Sequence, residues 1–421
     1  MSRNVLPRVP AQPYDILAES SMAAHPVSYI LICHSYPPVL GGSEVEAQRV
    51  SDELQKRGHR PRIVCAGGAP MPSLPEWVDP FGLRVRIYGQ GASKRWRDIV
   101  YALGVAWTLF KERHDYEVVY FLMSGLHLAT GLPVARLLGK PIVMKFSCSS
   151  LVVGMQNSFL GRLELSFLRR WASHILVLNP GMVEEALEVG FDRSRIGWMP
   201  NPVDTDHFCP CSSEERARLR GELGIRQDTP LAVFVGRLDP QKELPWLIGA
   251  FQQVVREIPG AVLALVGDGS LRNQLGELVS SLDLGENVVF TGRLPTDGVL
   301  KWLQAGDVFT LISAIEGLPC SLIEAMSAGL PPVVSNIPAH TQLVENELDG
   351  MVTELGNQQS IARGLVRLLA DPAARTRMGG AARRRMQQQF STPKVVDCYE
   401  TLFAECTGET GASPEVRPMI L

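Results

Sequence analysis

Two glutamates, Glu316 and Glu324, stand with seven residues between them in the string Ser313-Ala-Ile-Glu-Gly-Leu-Pro-Cys-Ser-Leu-Ile-Glu-Ala-Met-Ser-Ala-Gly-Leu-Pro331. A Gly317-Leu318-Pro319 turn leads into a short helix expected over 322–327. The start of a helix offers backbone amides without partners in the helix itself and the positive end of its dipole, which together make a place for phosphate. One carboxylate is on the loop before that end and the other is one turn inside it. No lysine lies in the string and no Gly-Lys-Ser/Thr follows, so it is no Walker loop. The arrangement suits a ligand with both phosphate and hydroxyl groups: amides at Ser321 and Leu322 for the first, carboxylates for the second. A structural reading competes, because Ser321-Leu-Ile-Glu324 also matches a capping box.

Further along the same logic, an apolar run over 231–235 ends in Gly236-Arg237-Leu-Asp-Pro-Gln-Lys242. Arginine supplies a planar fork for bidentate phosphate contact and lysine a point charge. A run over 262–266 ends in Gly267-Asp-Gly269, and one over 288–290 ends in Thr291-Gly292-Arg293. In the first half, the run Val27–Cys33 is followed by a loop ending in Gly41-Gly42. There Ser43-Glu-Val-Glu46 reads as a capping box that opens a helix. Asp204-Thr-Asp206 has the spacing of a metal-binding Asp-x-Asp, but it follows a strand expected over 195–199 and reads better as a hinge.

Positioning these groups takes a strand–helix alternation that runs almost the whole chain. Buried parallel strands are expected at 62–66, 83–87, 118–122, 142–146, 175–178, 307–312 and 333–335, with helices between them. A chain of 421 residues is too long for one comfortable core and divides into two domains. Apolar residues at 45% and charged residues at 20% are ordinary for a soluble protein, and a net charge of −3 argues against a nucleic-acid binder. Residues 1–203 carry 22 Lys+Arg against 17 Asp+Glu, or +5, and the remainder 19 against 27, or −8. A basic first half suits an anionic acceptor or membrane surface. An amphipathic helix over 96–110 has Lys94, Arg95, Arg97, Lys111 and Arg113 beside Trp96, Trp107 and Phe110. It reads as a helix packed on a sheet, with lipid contact as the second reading. The eight cysteines have no Cys-x-x-Cys pair and read as reduced thiols of a cytoplasmic protein. The first residues carry Pro7, Pro10, Pro13 and Pro26 and no apolar core, so no signal peptide is expected, and no apolar run is long enough to span a bilayer.

The nineteen-residue string resembles the E-x7-E signature of the retaining GT-B glycosyltransferases, the glycosyl transferases group 1 family. Glu316, Gly317, Leu318, Pro319, Glu324, Ala325, Met326, Gly329 and Pro331 all fall in its pattern. Gly236-Arg237-x4-Lys242 and the Gly41-Gly42 loop are similar to further family strings, and the likeness covers roughly 28–405. It implies an α/β fold of two Rossmann-like domains with the active site in the cleft between them. The expected division is a disordered tail 1–26, an acceptor domain 27–203, a nucleotide-sugar donor domain 204–390, a helix 391–406 crossing back to the first domain, and a flexible tail 407–421. The implied activity is transfer of a sugar, with retention, from a nucleoside-diphosphate sugar, UDP- or GDP-linked, to the hydroxyl of a carbohydrate or lipid-linked acceptor. In the family the first glutamate faces the donor sugar and the second holds the ribose. Arg237, Lys242 and Glu316 are thus the expected catalytic residues. Gly41, Gly42, Gly236, Gly267, Gly292, Arg293, Gly317, Leu318, Ser321, Leu322 and Glu324 are expected to bind the donor. No metal or cofactor is expected, and membrane contact, if any, is peripheral. One departure concerns the acceptor side: Ser147 stands where many members carry a histidine, and His127, at a helix start, reads as structural. A nucleotide-sugar epimerase of the same fold and a silent nucleotide-sugar binder are the alternatives.

Overall fold

A computed structural model describes residues 25–37, 41–67, 76–80 and 82–408. The expected tails 1–26 and 407–421 lie almost wholly outside these residues, as does 38–40 of the glycine loop. The chain forms two compact units. One comprises Met1–Pro200 with Pro393–Leu421, and the other is the continuous segment Asn201–Thr392.

The first unit runs β1 (Ser28–Cys33), α1 (Gly42–Lys56), β2 (Arg60–Ala66), β3 (Glu76–Val78), β4 (Arg84–Tyr88), α2 (Lys94–Lys111), β5 (Val118–Leu122), α3 (His127–Leu137), β6 (Ile142–Lys145), α4 (Leu151–Met155), α5 (Phe159–Trp171), β7 (His174–Val177), α6 (Pro180–Glu188) and β8 (Ile196–Trp198). Its sheet has the order β3-β4-β2-β1-β5-β6-β7-β8 and is parallel except for β3 against β4. Runs such as Val118-Val-Tyr-Phe-Leu122 are apolar on both faces because helices cover both. The chain winds outward from β1 through β2 to β4, then crosses back to β5 and winds the other way. Right-handed crossovers therefore put α1 on one face and α2, α3 and α5 on the other. Tyr29, Leu31, Cys33, Tyr120 and Leu122 face the α1 side, where they join Val50 and Leu54 in one core cluster.

The second unit runs α7 (Ser213–Glu222), β9 (Leu231–Val235), α8 (Leu244–Glu257), β10 (Val262–Val266), α9 (Arg272–Ser281), β11 (Val288–Gly292), α10 (Thr296–Ala305), β12 (Val308–Leu311), α11 (Cys320–Ser327), β13 (Pro332–Ser335), α12 (Pro338–Thr341), β14 (Met351–Thr353), α13 (Gln358–Ala370) and α14 (Pro372–Arg385). Its sheet, β11-β10-β9-β12-β13-β14, is wholly parallel. The winding reverses between β9 and β12, and a doubly wound sheet takes its ligand outside the carboxyl ends of the strands at that point. The helix expected over 373–389 is two pieces, since a π-helical turn over Met386–Phe390 follows α14. The final helix, α15 (Thr392–Thr407), belongs to the first unit. Its Val395, Val396, Tyr399, Leu402 and Phe403 pack into the cluster with Tyr29 and Leu54.

Both capping-box readings fail. Helix α11 starts at Cys320 with Pro319 as its N-cap, so Ser321 is already inside the helix and no side chain caps the start. Helix α1 likewise starts at Gly42, with Gly41 as an uncapped N-cap, which puts Glu46 a full turn in. The buried Glu46 carboxylate bonds the Lys145 ammonium and, at 3.1 Å, the Tyr399 hydroxyl.

Candidate active site

Strand β9 delivers Gly236 and Arg237 to its carboxyl end, and β12 delivers Ser313 and Glu316 to the carboxyl end beside it. These are the two strands that flank the reversal in winding. The two loops are tied by the Ala314 N–H, which donates to the Gln241 carbonyl at 2.9 Å. Lys242 Nζ reaches Glu316 Oε1 at 2.5 Å, with 11% and 9% of the two side chains exposed. Ser313 Oγ donates to the same carboxylate oxygen at 2.6 Å. A buried carboxylate therefore sits between an ammonium and a hydroxyl, and the three hold one another's geometry. Arg237 differs: it is 72% exposed and turns to Asp239 Oδ2 at 2.5 Å.

Behind Glu316 lies a chain of buried polar groups that sequence reading passed over. Ser335 Oγ, at the end of β13, donates to the Ser313 carbonyl at 2.6 Å, and His340 Nδ1 lies 3.1 Å from both the Ser335 hydroxyl and the Ser335 carbonyl. A carbonyl only accepts, so the proton is on Nδ1 and Nε2 is a bare acceptor, buried without a hydrogen-bond partner. Burial, the larger effect, together with the Lys242 charge lowers the His340 pKa to about 4, against an opposing pull from Glu316. The available signal was a histidine two residues after Pro338, in a stretch that also carries Ser335, Asn336, Thr341 and Gln342.

This neutral histidine gives a pH dependence whose sign follows from linkage. Its folded pKa is below its unfolded one, so the unfolded chain takes up a proton first as pH falls, and stability is lost from about 6.5 downward. Between pH 6.5 and 5 the loss should be on the order of 2 kcal/mol for the second unit. His340→Asn should show a flatter denaturation midpoint over that window, and equal slopes for variant and wild type would count against this account.

The glycines after β9, β10 and β11 meet as backbone. Gly236 N–H donates to the Val266 carbonyl and Gly267 N–H to the Gly292 carbonyl, both at 3.0 Å. Gly267 has φ +144°, and a Cβ there would sit 1.9 Å from the Gly236 carbonyl oxygen. Arg293 is exposed just beyond, while Arg272 stacks over Phe290 with its guanidinium 3.8 Å from the ring centroid. Gly317 and Leu318 are buried in the turn before α11, where the Leu318 carbonyl accepts from Asn201 Nδ2 at 3.4 Å. Leu322 is buried in the helix, and Ser321 and Glu324 are half-buried on it. Asp204 Oδ1 accepts from the N–H groups of Asp206 and His207, which makes the Asp-x-Asp string a turn.

Gly41 and Gly42 lie in the other unit, at the start of α1. Ser147 is half-buried just past the end of β6, whose last residue, Lys145, is buried against Glu46 and Tyr399. His127 is buried against Tyr101 and Phe121, and desolvation pushes its pKa down to about 3, as fits a structural side chain.

Two Rossmann-like units, with a polar site at the switch point of the second, make up the GT-B fold. The model of the glycosyl transferases group 1 matches residues 215–385, and that of glycosyltransferase family 4 matches residues 40–207. The chain belongs to the group 1 glycosyltransferases. It is 29% identical over 309 residues to the UDP-Gal:alpha-D-GlcNAc-diphosphoundecaprenol alpha-1,3-galactosyltransferase of Escherichia coli, which covers 70% of this chain and 77% of the relative. It is 30% identical over 200 residues to the GDP-mannose-dependent monoacylated alpha-(1-6)-phosphatidylinositol monomannoside mannosyltransferase of Corynebacterium glutamicum, covering 46% and 52%. Among solved structures, Anabaena HepE in complex with UDP and glucose has the same fold, with a TM-score of 0.76 at 19% identity over 90% of this chain and 100% of that one.

Proposed function

We propose that this enzyme moves a hexosyl group, with retention at the anomeric carbon, from a UDP- or GDP-linked sugar to a hydroxyl of a growing glycan, polysaccharide or glycolipid. The observation that carries this reading is the Lys242–Glu316–Ser313 cluster beside the uncapped start of α11. Cleavage of the bond between the anomeric carbon and the β-phosphate oxygen leaves negative charge on the diphosphate. Lys242, Arg237 and the amides around Ser321 and Leu322 stabilise that charge, with Gly236, Gly267 and Gly317 letting backbone come close. Glu316 faces the sugar. The acceptor oxygen bonds to the same face of the anomeric carbon, and its proton passes to the departing phosphate oxygen. No protein base is required, which accords with Ser147 in place of a histidine. Glu324 accepts hydrogen bonds from the ribose hydroxyls, and backbone at Gly292 and Arg293 meets the base. Charge neutralisation by Lys242 and Arg237 makes the reaction independent of metal. The relatives' own substrates, UDP-galactose and GDP-mannose with lipid-linked acceptors, support both donor class and acceptor class.

The test is calorimetric titration of UDP and GDP, in EDTA throughout, into wild type and Glu324→Gln. The substitution turns one acceptor oxygen into a donor and mispairs a hydroxyl in a desolvated site. That costs on the order of 1–3 kcal/mol, or about ten- to a hundred-fold in Kd. Melting temperature should stay within about a degree or two, because glutamine keeps the size and shape of this half-buried side chain. An unchanged Kd removes Glu324 from the ribose, and binding that needs added Mn²⁺ or Mg²⁺ overturns metal independence.

A further inference from the structure

Helix α2 lies on its sheet through Tyr101, Ala102, Val105, Thr108 and Leu109, all buried. Its opposite face is also apolar. Trp96, Leu103, Trp107 and Phe110 are each more than half exposed, with Ile99 and Val100 somewhat less so. Their spacing of three, four and seven residues makes one stripe along the outer side of the helix. Helix α3 packs against α2, and α5 against α3, on the same face of the sheet. There α5 presents Phe159, three-quarters exposed, with Leu160 and Leu163 behind it. An apolar surface on this scale, outside the donor site, marks an interaction face.

Charge identifies what it meets. Lys94, Arg95 and Arg97 fill the first turn of α2 without a single acid there or a side-chain cap. The helix dipole disfavours cations at that end, so isolated helix stability would not select them. Lys111 and Arg113 close the other end, where the Arg113 guanidinium lies 4.9 Å over the Phe110 ring. Arg162, Arg169 and Arg170 lie on α5. The only acids on the two helices are Asp98, which faces His34 and Arg97, and Glu164, which is buried. Two copies meeting through this face would oppose like charges, whereas an anionic lipid surface complements it. Indole rings and flanking cations are the groups that settle at the level of lipid headgroups.

We propose that the α2–α5 face docks the enzyme flat on a membrane surface bearing anionic phospholipid, with the Trp96, Leu103, Trp107 and Phe110 stripe inserted at the headgroup boundary. The proposal is independent of donor and acceptor identity, and its test uses neither. The full chain is sedimented with vesicles of phosphatidylcholine alone and with vesicles containing phosphatidylglycerol, while tryptophan emission is followed. Binding should require the anionic lipid, weaken with added salt, and shift emission to the blue. Leu103→Glu with Trp107→Glu, and separately Lys94→Gln, Arg95→Gln and Arg97→Gln together, should each weaken partitioning at least about ten-fold with unchanged melting temperature. Lys94, Arg95, Leu103 and Trp107 are exposed and Arg97 is about a quarter exposed at the end of the helix's first turn, so the fold survives their replacement. Equal affinity for both vesicle types, or variants that bind as wild type does, would overturn the proposal. So would a concentration-dependent dimer that the Leu103→Glu and Trp107→Glu variant dissolves, since that assigns the face to a second copy.

Discussion

Lys242→Met is expected to lower kcat by roughly 10² to 10³, the scale of one preorganised stabiliser of developing charge. It should also destabilise the second unit by about 3–5 kcal/mol, because Glu316 is left as a buried carboxylate without the ammonium that neutralises it. The two effects can be separated. Adding Glu316→Gln to Lys242→Met removes the stranded charge, so the melting temperature should recover most of its loss. Affinity for UDP or GDP should not recover, because the ammonium that meets the diphosphate is still missing. Glu316→Gln alone is expected to leave nucleotide affinity close to wild type. If the double variant binds nucleoside diphosphate as tightly as wild type, Lys242 is only the structural partner of Glu316.

Gly267→Ala is expected to be nearly as damaging, for a reason that involves no ligand. Its backbone conformation is one that L side chains rarely adopt, and the added methyl would overlap the Gly236 carbonyl, which cannot give way as a side-chain tip can. Strained backbone costs about 1–3 kcal/mol and forced overpacking about as much again, so a loss of about 3–5 kcal/mol is expected. For a unit of this size that lowers the melting temperature by roughly 10 °C. Gly292→Ala is the control: φ is +69°, yet nothing lies within 4 Å of the new Cβ. It should cost about 1 kcal/mol, from backbone strain alone. A Gly267→Ala protein that melts within a degree or two of wild type would mean the loops slide past each other more easily than their backbone bonds suggest.

The contrast between these glycines shows where the sequence could be read. Strands such as Leu231–Val235 and Val262–Val266 announce themselves, because a strand buried on both faces must be apolar throughout. Glu316 and Lys242 could be picked out as candidates because an uncommon spacing survives as a string, and the structure brings their side chains to 2.5 Å. The short strands Glu76–Val78 and Met351–Thr353 could not, since they carry too few apolar residues for any periodicity. The capping boxes misled for a different reason. Ser321 and Glu324 fit the pattern, but the helix starts two residues earlier, at Cys320, with Pro319 as its N-cap. Partners that meet only in three dimensions, such as Ser335 and His340 behind Glu316, or Glu46 with Lys145 and Tyr399, leave almost no trace along the chain.

The place of α15 in the first unit bears on how the protein is made. That unit's core includes Val395, Val396, Tyr399, Leu402 and Phe403 together with residues of β1, β2 and β5, which leave the ribosome before any of the second unit. The second unit is one uninterrupted segment and can close on itself as it emerges. The first must wait for about 190 further residues, or roughly 10–40 s at ordinary rates of synthesis. Through that interval the apolar side of β1, β2 and β5 and the charged pair Glu46–Lys145 lack their covering helix. The half of the protein that is translated first is therefore the half that finishes folding last, and a nascent chain stalled before Pro393 would hold a completed second unit beside an open first one.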